Sequence, residues 1–203
     1  MNRQRLLLAL LLIVAGWQAV QWWQLRPVRQ SQGVLAADEP EQVASDAAPI
    51  QFDQYTLKPR ASYRIRARVL SRKNYRLGRE ADLSPVDFAL GWGLMSDSFI
   101  IDALDISQSG RFFWMHWDAT APAPESELMR HAANVHLIPA SKVIRRQLAK
   151  IRPGQVVELQ GLLVDAASNE GWNWNTSLTR EDTGAGACEL FWVQHAEVLL
   201  RGR

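Results

Sequence analysis

Few residues in this chain are of a type that could do chemistry. Its single cysteine, Cys188, could act as a thiol nucleophile with one of four histidines, His116, His131, His136 or His195. That chemistry needs a base within hydrogen-bond reach of the sulfur and a lowered thiol pKa. Cys188 stands just before the apolar run Leu190–Leu199, a position that favours a small buried hydrophobe. The same histidines with Cys188 could in principle hold zinc. His131 and His136 are five apart, however, which suits neither one helical face nor a His-x-x-x-His pair. Asp182-Thr183-Gly184-Ala185 matches the short signature of pepsin-like aspartic proteases. In those enzymes two apolar residues precede the aspartate and a second carboxylate pairs with it. Here Arg180 and Glu181 precede it and no second such motif exists, so a glycine-rich loop between strands is the better reading. No phosphate-binding glycine loop, nucleotide fingerprint or Gly-x-Ser-x-Gly elbow occurs. The sequence implies no metal, no cofactor and no catalytic residue.

The charge layout is more informative than any of these motifs. From Lys58 to Arg79 the chain holds nine basic residues and no acid. From Glu80 to Glu127 it holds nine acids against Arg111 alone. Arg64, Arg66 and Arg68 alternate with apolar residues and share one strand face, and Arg72, Lys73 and Arg76 follow in a loop. These six are the candidate docking surface for an anionic partner such as lipid headgroups or an acidic protein. The competing reading folds the basic strand against the acidic block, so that the two neutralise each other. Trp172 and Trp174 could form a stacking platform on one strand face, or simply fill a core.

The elements that would position these residues begin with an address. Arg3 and Arg5 precede an uncharged run, Leu6 to Leu25, closed by Arg26 and Arg29. Twenty residues span roughly 30 Å as a helix, about the hydrocarbon thickness of a bilayer. Trp17, Trp22 and Trp23 gather at the far end, where indole rings prefer the membrane–water interface. The basic N-terminus favours a cytoplasmic start. An uncleaved signal anchor over residues 1–26, contacting lipid through 6–25, is therefore expected, with a cleaved signal peptide as the competing reading. Residues 27–59, with Pro27, Pro40, Pro49 and Pro59 and little apolar periodicity, read as a polar linker.

Residues 60–203 read as one extracytoplasmic β-rich domain. Tyr63, Ile65, Ala67 and Val69 give the period-two pattern of a half-buried strand. Ser84-Pro85-Val86-Asp87 predicts a helix start, and Asp97–Leu104 a short helical piece. Phe112–Trp117, large and apolar on both faces, predicts an inner strand. Val135–Ile138 predicts a short strand stopped by Pro139, and Ser141 caps a helix with Ile144, Leu148 and Ile151 on one face. Val157, Leu159, Gly161 and Leu163 predict another strand. Trp172 to Leu178 and Leu190 to Leu199 predict two more. The fold class is α+β: an N-terminal transmembrane helix and a small β domain with one or two helices. Over residues 135–164 the order strand, helix, Pro-Gly turn, strand with a mid-strand glycine resembles the second half of an OB-fold barrel. An open sheet with helices on one side is the rival.

Three further stretches carry a resemblance: Ala81-Asp82-Leu83-Ser84-Pro85-Val86-Asp87, Val135-His136-Leu137-Ile138-Pro139, and Ser177-Leu178-Thr179-Arg180-Glu181-Asp182-Thr183-Gly184. Together they resemble an uncharacterised family of bacterial single-pass membrane-anchored envelope proteins. The resemblance implies a bacterial envelope location and nothing catalytic. At 203 residues, 47% hydrophobic, with a net charge of +2, the chain fits one anchored domain and excludes a multidomain enzyme. The expected role is a membrane-tethered accessory or binding protein of the inner membrane, its C-terminal domain periplasmic. Its partner would be a protein of the membrane or envelope, and no nucleic acid is expected. The alternative is an envelope hydrolase using Cys188 and a histidine.

Overall fold

The computed structural model describes residues 3–24, 26–118, 120–179 and 186–202. The Asp182-Thr183-Gly184-Ala185 motif and Arg180 lie outside the described residues. Helix α1 (Arg3–Gln24) is long and apolar enough to cross a membrane, and its apolar window is not buried in the rest of the fold. It is a candidate membrane anchor. The rest is an α+β domain built mostly of strands.

Where the composition of 27–59 suggests a linker, the chain is instead fastened to the domain almost at once. Arg152 donates twice to the Arg26 carbonyl, at 2.9 and 2.7 Å, and Val28 N–H donates to the Pro153 carbonyl at 2.8 Å. Gln30 donates to Gly154 O at 2.9 Å, Gly33 N–H donates to Asp97, and Leu35 and Ala36 donate to Ser96 Oγ. Two short strands follow, β1 (Glu41–Ala44) and β2 (Ile50–Phe52), both paired with the next strand. Polar composition disguised this segment, whose first part (Arg26–Ala36) forms a strap along the domain, because much of its attachment is made by backbone groups.

Strand β3 (Tyr55–Asn74) is twenty residues long, and straight it would span roughly 65 Å, far beyond the size of the domain. Register shifts at Pro59/Ala61 and Val69/Ser71 let it curl. Its larger part pairs with β8 (Val156–Ser168), and its end pairs with β4 (Val86–Gly91). Strand β4 pairs with β7 (Ala132–Pro139), β7 runs parallel to β10 (Glu189–Leu200), and β10 returns antiparallel to β8. Strands β3, β4, β7, β10 and β8 thus close into a five-stranded ring of mixed sense, with the two-residue strand β9 (Asn173–Trp174) paired on β8.

Tyr63, Ile65, Val69, Phe88, Leu90, Val135, Leu137, Leu159 and Phe191 fill the ring. Helix α5 (Lys142–Lys150) packs Ile144 and Leu148 onto this core, and Ser141 caps it by accepting the Ile144 N–H at 3.2 Å. Closure depends on Gly161: a Cβ there would lie 2.0 Å from the Trp192 carbonyl oxygen, so no larger residue lets β8 and β10 approach.

Three expected elements differ. Helix α2 (Arg79–Leu83) ends at Ser84, whose N–H caps Glu80 O, and strand β4 begins where a helix start was expected. Phe88 and Leu90 alternate into the core, and this pairing outweighs the local capping pattern. Phe112–His116 is β6 of a separate hairpin with β5 (Asp105–Ser109), not an inner strand, and Phe112 and Trp114 are exposed. Of the run after Trp172, only Asn173–Trp174 is strand. Two further short helices, α3 (Ser98–Ile101) and α4 (Glu125–Arg130), complete the fold.

Candidate functional site

The six basic candidates have four different fates. Arg64 donates to Glu158 at 2.9 Å and lies 3.6 Å from Glu41, and Arg66 Nε donates to the same Glu158 oxygen at 2.5 Å. Glu158 sits directly across from Arg66 in the β3–β8 ladder, and Gln160 donates to its other oxygen at 2.6 Å. The Arg66 guanidinium, helped by Arg64 and Gln160, brings the Glu158 carboxyl down to about 2 against the opposing effect of burial. The same contact raises Arg66 above its ordinary value. Acid does meet the basic strand, but from β8 rather than from the 80–127 block.

Arg68 is 6% exposed. It donates to Ser98 Oγ at 2.8 Å and Ser96 O at 3.2 Å, tying β3 to the turn that receives the strap, and burial lowers its pKa. Arg72 donates to Ala149 O at 2.9 Å and Ile151 O at 2.6 Å, the carbonyls at the open end of α5. Burial lowers its pKa to about 10. Arg72 and Lys73 lie in β3, paired with Phe88 and Asp87, rather than in the expected loop, because β3 continues its ladder with β4 to Asn74; Arg76 alone of the three is in the loop. Lys73 and Arg76 are exposed, with no carboxylate partner among the described residues. Arg76 instead places its guanidinium 4.8 Å from the centre of the Trp17 ring, on α1. Of the six candidates, Lys73 and Arg76 are thus the two without a carboxylate partner among the described residues, and both stand towards the C-terminal end of the block.

The acidic block holds a second arrangement. Asp87, fully buried on the outer face of β4, accepts from Arg111 Nη1 at 2.6 Å and faces His136 Nδ1 at 3.0 Å. His136 is its register partner on β7. Arg111 sits at the tip of the β5–β6 hairpin, in a two-residue turn with Gly110, and both have positive φ (72° and 58°), a twist suited to a tight hairpin. Holding a non-glycine residue there costs on the order of 1 kcal/mol. Arg111 is kept by Asp87, by the Ser84 carbonyl at 3.0 Å and by stacking 3.7 Å from the Tyr75 ring centre. Asn134 donates to Arg111 O at 2.8 Å and receives Gln108 Nε2 at 2.7 Å. The cluster clamps the hairpin onto the outer wall of the ring.

Trp174 lies against this cluster, 4.7 Å from the His136 ring centre, with Arg111 5.4 Å from its own. Trp172 packs on Tyr55 at 5.6 Å, and Arg79, paired with Glu170, covers it at 5.8 Å. The two indoles are 6.1 Å apart at 66°, an edge contact rather than two parallel stacking faces. Cys188 is half-buried, and its sulfur accepts from Asn134 Nδ2 at 3.4 Å. His136 and Cys188 thus both border Asn134's surroundings, whereas His116 and His195 are exposed and His131 lies 3.8 Å from Glu127. No group of three histidine, cysteine or acidic residues able to hold a metal occurs among the described residues.

Sequence reasoning did not single out Asp87, Arg111 or Asn134. A signal was present: Arg111 is the one base inside a long acidic block, and Asp87 is a carboxylate between Val86 and Phe88. Comparison of the chain with protein-family models, curated proteins and solved structures gives no match.

Proposed function

We propose that this chain is a membrane-tethered envelope accessory protein whose β domain works at the bilayer surface, binding a partner there. One observation carries the reading: the domain begins to hold the chain at Arg26 and Val28, within four residues of the end of α1. Four residues reach at most about 14 Å, so a membrane-embedded α1 keeps the domain against the headgroups rather than on a long tether. Arg3 and Arg5 before the apolar run support a cytoplasmic start, and hence a periplasmic domain in a bacterial inner membrane. The ring order β3-β4-β7-β10-β8, with α5 between the third and fourth ring strands of the sequence, supports an OB-like barrel, an architecture used for binding. The basic surface expected to meet an anionic partner narrows to Lys73 and Arg76, with Arg64 and Arg66 already engaged by Glu158.

The experiment is a C-terminal reporter active only outside the cytoplasm, fused to the full chain, read together with membrane fractionation. Reporter activity in the membrane fraction is the expected result. A membrane-bound chain with a silent reporter, or a soluble protein lacking residues 1–24, overturns the reading.

A second reading, a hydrolase using Cys188 with His136, draws on one contact set: Asp87 facing His136 Nδ1 and Asn134 at the Cys188 sulfur. It requires an accessible, low-pKa thiol. A Cys188 that labels only after denaturation sinks it.

A further inference from the structure

We propose that the end of β3 at Lys73 and the loop after it, with Arg76 and Leu77, dock on anionic lipid headgroups of the bilayer that holds α1, with Leu77 entering the acyl boundary. The proposal rests on α1 being membrane-embedded, and it names the partner that the basic loop meets.

Leu77 is 93% exposed, more than any other large hydrophobic residue among those described. A lone exposed leucine needs no explanation, but this one follows Arg76 directly in the loop after β3, with Lys73 near the end of that strand, and neither cation has a carboxylate partner among the described residues. Gly78 follows with φ 93°, the left-handed conformation that turns the chain back into α2 directly after Leu77. Between residues 73 and 77 every charge is positive, and Glu80 and Asp82 lie beyond Gly78. The remaining arginines of the block are held elsewhere: Arg60 on Asp165, Arg64 and Arg66 on Glu158, Arg68 inside the fold, Arg72 on α5 and Arg79 on Glu170.

Position supplies the second argument. Arg76 stacks over Trp17, the residue at which the purely apolar part of α1 gives way to Gln18, Trp22 and Trp23. Trp17 lies about 8 Å along α1 from Trp22, within the group of indoles that marks the membrane–water interface, so a cation over it lies at the inner edge of headgroup depth. Leu77, the next residue, then reaches the acyl boundary. The strap holds the domain close to the end of α1, and Arg29 within it and Arg201 beside it are exposed. Cations near an anionic surface strengthen attachment by about five-fold each, falling off within a Debye length.

The test uses the full chain with Cys188→Ser and Leu77→Cys, the new thiol carrying an environment-sensitive fluorophore. It is reconstituted into phosphatidylcholine vesicles with and without phosphatidylglycerol. Expected are blue-shifted emission and quenching by a bilayer-embedded quencher in the anionic vesicles. Adding Lys73→Glu and Arg76→Glu should lower the embedded-to-exposed ratio roughly ten-fold or more, with the thermal midpoint unchanged. A probe that reads water while the chain floats with anionic vesicles overturns the docking loop. A probe equally embedded without anionic lipid, or after charge reversal, overturns the headgroup contact. A chain that does not float with the vesicles overturns the anchor reading, and the proposal with it.

Discussion

Val28 donates its N–H to the carbonyl of Pro153 at 2.8 Å, and its own carbonyl lies where a side chain on the next residue, Gly154, would have to go. A Cβ at Gly154 would stand 2.0 Å from Val28 O, and Gly154 has φ 87°, so alanine there is both strained and obstructed. The Gly154→Ala protein should release the strap between Arg26 and Ala36 while the ring stays folded. Trypsin should then cut after Arg29 at least about ten-fold faster, as local opening of a weakly held segment allows. Unchanged cleavage would count against a strap that holds the domain to the anchor.

The buried charges around Asp87 set the second expectation. Removing one partner of a buried pair leaves the other charge uncompensated and typically costs about 3–5 kcal/mol. Asp87→Asn should lower stability by that order in urea, because both Arg111 and His136 face its carboxylate. Arg111→Met, tested alone and with Asp87→Asn, gives a double-mutant cycle. A coupling below about 0.5 kcal/mol would mean the clamp contributes nothing beyond its separate parts.

How much of this was legible in advance divides along a physical line. The strands with period-two apolar faces and the Ser141-capped helix could be read because local pattern and tertiary role agree there. The start at Ser84 misled because a good capping pattern was overridden by ladder pairing between Val86 and Asn74. Residues 26–52 misled because backbone hydrogen bonds leave no compositional trace. For the candidate site, the basic block was visible but its partners were not. That Arg64 and Arg66 meet Glu158, ninety residues away, depends on ring closure, which no local pattern encodes.

Glu158 gives the pH dependence. Its folded pKa, about 2, lies below the ordinary 4.5, so the unfolded chain takes up the proton first as the pH falls. The stabilisation is fully present above about pH 4.5 and is lost as the pH drops toward 2. Glu158→Gln should lower the urea midpoint at pH 7 and flatten its pH dependence between 4.5 and 2. A variant whose acid branch tracks the parent protein would assign the acid loss to other carboxylates.

Gly161 tests the ring itself. A Cβ there meets Trp192 O at 2.0 Å and Gln194 N at 3.1 Å, all backbone, so neither side can yield by a rotamer change. Overpacking of this kind costs about 1–3 kcal/mol or more, and here it acts where β8 and β10 join. Gly171 supplies the control: it has φ 83° but open space around it, so alanine there should cost only about 1 kcal/mol of backbone strain. Thermal melts should therefore rank Gly161→Ala well below Gly171→Ala. Equal melting temperatures would mean that β8 and β10 do not close as tightly as Gly161 requires, and would leave the sheet open along that seam.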